Sequence, residues 1–193
     1  SLDGLRTFAV TFVIISHWFP KQHILNTTPN GVIGVTLFFV LSGFLITSIL
    51  LGYKNAIENQ KTTIGKSLQT FYWRRSLRIF PIYYLFIGFL LLYGYKTVQE
   101  NWVYFFTYTS NFFFFNKGAF SGTVSHLWSL AVEEQYYIIW PAIVLLASKK
   151  WLPYILAIFI IIGTGSQIVM HNIPLAEVLP FTAFDAFGIG GSI

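Results

Sequence analysis

The sequence has no cysteine and a single methionine among its 193 residues. Disulfides, iron–sulfur clusters and thiolate zinc sites are thereby excluded. Charge is scarce as well. Only 10% of the residues are Asp, Glu, Lys or Arg, where a soluble domain carries about 25%. So few charges cannot clothe a globule surrounded by water. The four histidines show no close pairing, so no metal-site spacing is present and no metal is expected. There is no P-loop and no G-x-S-x-G elbow. Internal repeats and low-complexity linkers are also missing.

What is present is apolar. The chain is 55% hydrophobic and 20% aromatic, which excludes disorder. The net charge of +5 sits between apolar runs and not in a tail. It reads as membrane-flanking charge, and no nucleic-acid partner is expected. Apolar runs of about 17–25 residues mark membrane spans. We place them near Thr7–Phe19, Val32–Leu51, Ile79–Tyr95, Trp102–Phe115, Leu127–Ala147 and Leu152–Met170, with a seventh starting near Pro180. The fold class expected is all-α, a polytopic transmembrane helical bundle of about six to seven spans. No charged leader with a cleavage site precedes the first run, so no cleaved signal peptide is expected. The chain starts without methionine and stops inside an apolar run, so we expect a fragment of a longer membrane protein.

Six alternating spans divide the basic residues unevenly. Arg6, Lys54, Lys61, Lys66, Arg74, Arg75, Arg78 and Lys117 fall on the N-terminal side. Lys21, Lys96, Lys149 and Lys150 fall on the other. That bias favours a cytoplasmic N-terminus. The Lys149–Lys150 pair joins the first set if the aromatic fourth segment does not cross.

Ionisable groups inside spans are costly and usually functional. Three groups stand out. Arg6 and His17 are eleven residues apart, so they share one helix face about 16 Å apart along the axis, with Asp3 near the same stripe. This reading puts Arg6 near a membrane edge and His17 deeper, where a neutral imidazole can take a proton from a hydroxyl. A packing histidine before Trp18 and Pro20 is the plain alternative. Arg75 and Arg78 lie at i, i+3, beside Arg74. Two guanidiniums on one face suit phosphate or pyrophosphate, and the plain alternative is a positive-inside anchor. His126, Ser129 and Glu133 lie on one helix face, and Glu134 points about 100° away from Glu133. Adjacent carboxylates in an apolar segment can serve as base, proton carrier or orienter, or can tie the bundle together by an ion pair. Asp185 with Gly188, Gly190 and Gly191 is no nucleotide fingerprint, and small-residue helix packing is the better reading.

Five runs in order then resemble one family: SLDGLR at Ser1–Arg6 with His17 following, FFVLSGFLIT at Phe38–Thr47, FYWRRSLRIFPIYY at Phe71–Tyr84, HLWSLAVEEQYYIIWP at His126–Pro141, and FDAFGIGG at Phe184–Gly191. They resemble the acyltransferase-3 family of integral membrane O-acyltransferases, which includes bacterial glycan O-acetyltransferases. The resemblance covers nearly the whole chain and implies one membrane acyltransferase domain over residues 1–193, the N-terminal part of a roughly ten-span protein. It implies a multi-pass protein of the bacterial inner membrane. It also implies transfer of an acyl group, acetyl above all, from acyl-CoA to a hydroxyl of a cell-envelope or exported glycan. No bound cofactor is expected, acetyl-CoA being a substrate. Residue by residue, the family patterns fall on Arg6 and His17, on Arg75 and Arg78, and on Trp128, Ser129, Leu130, Glu133 and Glu134. Catalytic roles are expected for His17, Arg6, Glu133 and Glu134, with His17 as base or transient acyl carrier. Arg75 and Arg78 are expected to bind the donor, and Asp3, Trp128 and Ser129 to support. Read from residues alone, the same buried groups also suit a proton-coupled transporter of an anionic solute.

Overall fold

A computed structural model describes residues 2–19, 24 and 28–193, and for Leu2 and Asp3 the backbone alone. Every regular element among the described residues is helical. The α-helices are α1 (Leu2–Trp18), α2 (Asn30–Glu58), α3 (Ile64–Leu92), α4 (Lys96–Glu100), α5 (Trp102–Phe106), α6 (Ser110–Lys117), α7 (Leu127–Leu146), α8 (Leu152–Val169) and α9 (Phe184–Ser192).

Side-chain pairs fix the arrangement. Gly31 and Gly34 of α2 meet Ser16 and Ala9 of α1, so these two helices are antiparallel. Ser42, Thr47 and Lys54 of α2 meet Glu133, Trp140 and Val144 of α7 in that order, so α2 and α7 run parallel. Helix α3 lies antiparallel to α7, with Tyr72 bonded to Ile138 and Phe86 beside His126. Helix α9 is wedged between α2 and α8. The bundle therefore has two ends. One, the latch end, holds the C-termini of α2 and α7 and the start of α3. The other, the cavity end, holds the C-termini of α1, α3 and α8.

Three helical segments among the described residues are long and apolar enough to cross a membrane: Asn30–Glu58, Ile64–Leu92 and Lys149–Val169. This is fewer than the six to seven spans expected, and the reasons are specific. Helix α1 does take in the Leu2–Arg6 lead-in, but has 17 residues. Helix α7 has 20 residues, and its Glu133–Gln135 run dilutes the apolar stretch. Helix α9 has nine residues. The aromatic segment read as a fourth span is two short helices. Between them Tyr108 takes a left-handed φ of 53°, uncommon outside glycine. The freed backbone carbonyls find donors. Tyr83 and Tyr84 of α3 donate their hydroxyls to Phe105 O at 2.6 Å and Phe106 O at 3.0 Å. Gln135 of α7 donates to Tyr108 O at 2.8 Å. Broken backbone at membrane depth is tolerated where protein groups satisfy it in this way.

The break moves two sets of charges. Lys149 lies at the latch end, where its Nζ donates to Glu58 Oε2 at 2.5 Å and Asn55 Oδ1 at 2.6 Å. Lys117 lies at the cavity end. Its Nζ donates to Ser121 Oγ, and Ser121 O accepts from Tyr95. Both placements reverse the assignment made from six alternating spans. Lys21 lies outside the described residues.

The principal core joins Phe39, Ile46 and Leu50 of α2 to Val132, Tyr136 and Trp140 of α7 and Phe187 of α9. The Tyr136 and Phe187 rings stack at 4.0 Å. Outward faces of α3 and α8 expose Ile82, Leu85, Phe89, Ile158, Ile161 and Ile168, an apolar outside suited to lipid.

Lys54 is the odd buried residue, at 7% exposure. Its Nζ donates to Val144 O at 3.0 Å and Leu145 O at 3.2 Å, and also to Ala147 O. These carbonyls belong to the end of α7, which leaves its last acceptors without intrahelical partners. Lys54 thus caps α7 from another helix. Replacing it with methionine keeps the stem and strands the acceptors. We expect a loss of about 1–3 kcal/mol of stability, read as a lower thermal midpoint of the detergent-solubilised protein.

Candidate functional site

The polar residues picked out in sequence gather in two storeys. The deeper lies midway along α2 and α7. Ser42 donates to Glu133 Oε1 at 2.7 Å, and the Tyr137 hydroxyl donates to Ser42 Oγ at 2.8 Å. The Arg75 guanidinium lies flat over the Tyr137 ring, 3.7 Å from its centroid. Cation and ring attract in this geometry, the more so away from water. The charges of both Arg75 and Arg6 act on Glu133. Glu134, 6% exposed, faces the other way. It acts on Tyr84 and Tyr108 and shares the field of Arg75. Its Oε1 has no hydrogen-bond partner among the described residues. The angle of about 100° between successive helical residues separates the two carboxylates: Glu133 turns to α2, Glu134 to the tyrosines around α3 and α5.

The shallower storey is a cavity of about 520 Å³ at the cavity end. His17, in the last turn of α1, forms part of its wall. So do Thr36 and Phe39 of α2, Trp128 of α7, Gln167 of α8 and Asp185 of α9. Trp128 meets Phe39 edge-on at 6.1 Å. Ser42 lies one turn beyond Phe39 on α2, so this ring pair floors the cavity above the deeper cluster. Its wall contains no lysine or arginine among the described residues. His126 stands at the N-terminus of α7, close enough to His17 for their charges to interact. Burial first, then that charge, lowers its pKa below the ordinary histidine value, against a hydrogen bond with the Thr123 backbone. His126 therefore favours the neutral form.

Several placements differ from expectation. Helix α1 packs against the first half of α2, and the charge of Arg6 there reaches Glu133. His17 is at the end of its helix, not deep in the bundle, and faces the cavity. Among the described residues, His17 makes no hydrogen bond to either glutamate. Arg75 and Arg78 share α3, yet Arg75 is half-buried against Tyr137 and Arg78 is exposed. Arg75 is also about 16 Å along α3 from Ile64, well inside the helix rather than at its start. Ser129 donates to His126 O at 3.1 Å within its own helix. The Asp3 side chain lies outside the described residues.

Sequence reasoning assigned no role to Ser42 or Tyr137. Both had signals. Ser42 is a polar interruption of a long apolar run, and Tyr137 follows Glu133 by one helical turn, on the same face.

With this geometry in place, comparison with known proteins is decisive about kinship. The family model described as "Acyltransferase domain" matches residues 1–187, and the chain belongs to that family. It is 38% identical over 183 residues to the peptidoglycan O-acetyltransferase OatA of Listeria monocytogenes, covering 86% of this chain and 27% of that protein. It is 33% identical over 195 residues to the O-acetyltransferase OatA of Staphylococcus aureus, covering 89% of this chain and 30% of that protein. The chain thus spans little more than a quarter of the curated relatives it matches. No solved structure matches.

Proposed function

We propose that this chain carries acyl transfer from an acyl-CoA, acetyl-CoA above all, to a hydroxyl of a cell-envelope glycan such as peptidoglycan. The observation that carries the reading is the separation of charges. The cavity beside His17 is lined by Thr36, Gln167, His171, Glu177 and Asp185, donors and acceptors that suit the hydroxyls of a sugar. The arginines lie elsewhere. Arg75 and Arg78 lie one turn apart on α3, inward from the latch end, two guanidiniums for the phosphates of CoA.

Orientation follows from the same charges. The latch end carries Lys54, Lys61, Lys66, Lys149 and Lys150, so it faces the cytoplasm of a bacterial inner membrane. The cavity end then faces outward, where envelope glycans are. In the transfer itself, the sugar hydroxyl attacks the thioester carbonyl. His17 takes the hydroxyl proton, a C–O bond forms, the C–S bond breaks, and the CoA thiolate leaves to be protonated. Arg75 and Arg78 hold the donor, Arg6 balances Glu133, and Ser42 and Tyr137 fix that carboxylate. Glu134 is a second acid within the field of Arg75.

The test is transfer of label from radiolabelled acetyl-CoA to an N-acetylhexosamine oligosaccharide by the full-length protein in vesicles. Label is expected to move with wild type. With Arg75→Ala, the KM for acetyl-CoA is expected to rise about tenfold or more, the effect of losing a charged hydrogen bond. Uptake of an anionic solute with no acetyl-CoA dependence would overturn the reading in favour of a transporter.

A further inference from the structure

Phe120 is a large apolar side chain in the loop between α6 and α7, and it is 43% exposed. The loop around it is held firmly. Gly118 ends α6 with a left-handed φ of 65°. Lys117 Nζ donates to Ser121 Oγ at 2.7 Å, and the Tyr95 hydroxyl donates to Ser121 O at 3.2 Å. The Phe120 ring rests against the fully buried Phe114, with 5.7 Å between centroids. It forms part of the wall of the cavity that His17 also lines. Trp128 is in the same wall and is braced in the same way, by the buried ring of Phe39. Rings already held in place lose little freedom when a ligand meets them.

The rings and the polar groups of this cavity come from different parts of the fold. Phe39, Phe120 and Trp128 belong to α2, the α6–α7 loop and α7, whereas Gln167, His171 and Glu177 belong to α8 and the stretch after it. A pyranose is two-sided in the same sense, with C–H bonds on the faces of its ring and hydroxyls around the rim. Its C–H hydrogens suit the negative face of an aromatic ring, and its hydroxyls suit amide, imidazole and carboxylate groups. The volume of about 520 Å³ is that of a small-ligand site, which typically pairs aromatic walls with a few polar groups. We infer that Phe120 and Trp128 form an aromatic platform on which a pyranose ring of the acceptor glycan stacks. The inference rests on the acyl-transfer reading and deepens it, by naming what holds the acceptor beside His17. A different role competes for Phe120, that of an interfacial anchor, since aromatic side chains gather at membrane surfaces.

The experiment separates the two. In full-length protein, Phe120→Leu removes the ring but keeps an apolar side chain, and Phe120→Tyr keeps the ring. The acceptor is chitotriose, a β-linked trimer of N-acetylglucosamine. Phe120→Leu is expected to raise the KM for chitotriose about three- to tenfold, the worth of one aromatic contact, while Phe120→Tyr stays near wild type. The KM for acetyl-CoA and the thermal midpoint stay unchanged in both. Trp128→Leu and Trp128→Phe repeat the comparison at the second ring, with the same order expected. An acceptor KM unchanged in Phe120→Leu is the result an interfacial anchor gives, and it would overturn the inference. So would a lowered midpoint with donor and acceptor affected alike. Calorimetry with chitotriose alone, without acetyl-CoA, tells this failure from that of the parent reading. Binding that weakens in Phe120→Leu but not in Phe120→Tyr, with no transfer by any of the proteins, upholds the platform and sinks the transferase. Equal binding by all three sinks the platform alone. Neither binding nor transfer by wild type sinks both.

Discussion

Replacing His17 with alanine is expected to lower acyl transfer by roughly 10²–10⁴-fold, the usual contribution of a positioned proton acceptor. The protein should still insert and fold. His17 is in the last turn of α1, exposed to the cavity and outside the core, so its removal empties a wall and leaves the packing intact. Neutral His126 nearby cannot replace it without rebuilding the start of α7, where Phe86 packs against its ring at 6.0 Å. Acetyl-CoA binding should be unaffected, because the arginines lie along α3 and not in the cavity. Full transfer activity in a folded His17→Ala protein would remove the histidine from the mechanism.

A second large effect concerns assembly. A methyl group on Gly190 would lie 1.9 Å from Val40 O, and one on Gly43 would lie 2.2 Å from Phe187 O. Both contacts are with backbone, which cannot rotate away. Gly190→Ala and Gly43→Ala are each expected to cost about 1–3 kcal/mol or more, as overpacking does. A methyl added to Gly52 or Gly88 would meet nothing within 4 Å, and these glycines sit inside α2 and α3. Alanine there should be neutral or stabilising, by up to about 1 kcal/mol, from helix propensity. Thermal midpoints of the four variants in one detergent give the comparison. Equal midpoints would mean that α9 does not dock between α2 and α8.

The sequence made the helical class readable because apolar runs and missing charge have few solutions in a membrane. The candidate residues Arg6, His17, Arg75, Glu133 and Glu134 were conspicuous for the same reason, as ionisable groups against a hydrophobic background. The number of crossings was not. Phe, Trp and Tyr count as apolar in a run such as Trp102–Phe115, yet Tyr83, Tyr84 and Gln135 supply the hydrogen bonds that let this run break. Those donors come from other helices, and no local pattern announces them. Depth along the bundle was hidden too. Spacing places Arg6 and His17 on one face of a helix but does not say where that helix begins against its neighbour. The two storeys arise from that offset. The tight seat of α9 was half-visible, as glycines in Gly188–Gly191, while its partners Gly43 and Gly163 lie far off in the chain.

Lys54 and Lys149 both act at the latch end, one tying α2 to the last carbonyls of α7, the other joining Glu58 to the turn before α8. The opposite end is hollow. A bundle pinned at one end and empty at the other does not flex evenly. Like a clothes peg, it moves least at the spring and most at the jaws, so thermal splaying of the helices widens the mouth of the cavity and leaves the latch closed.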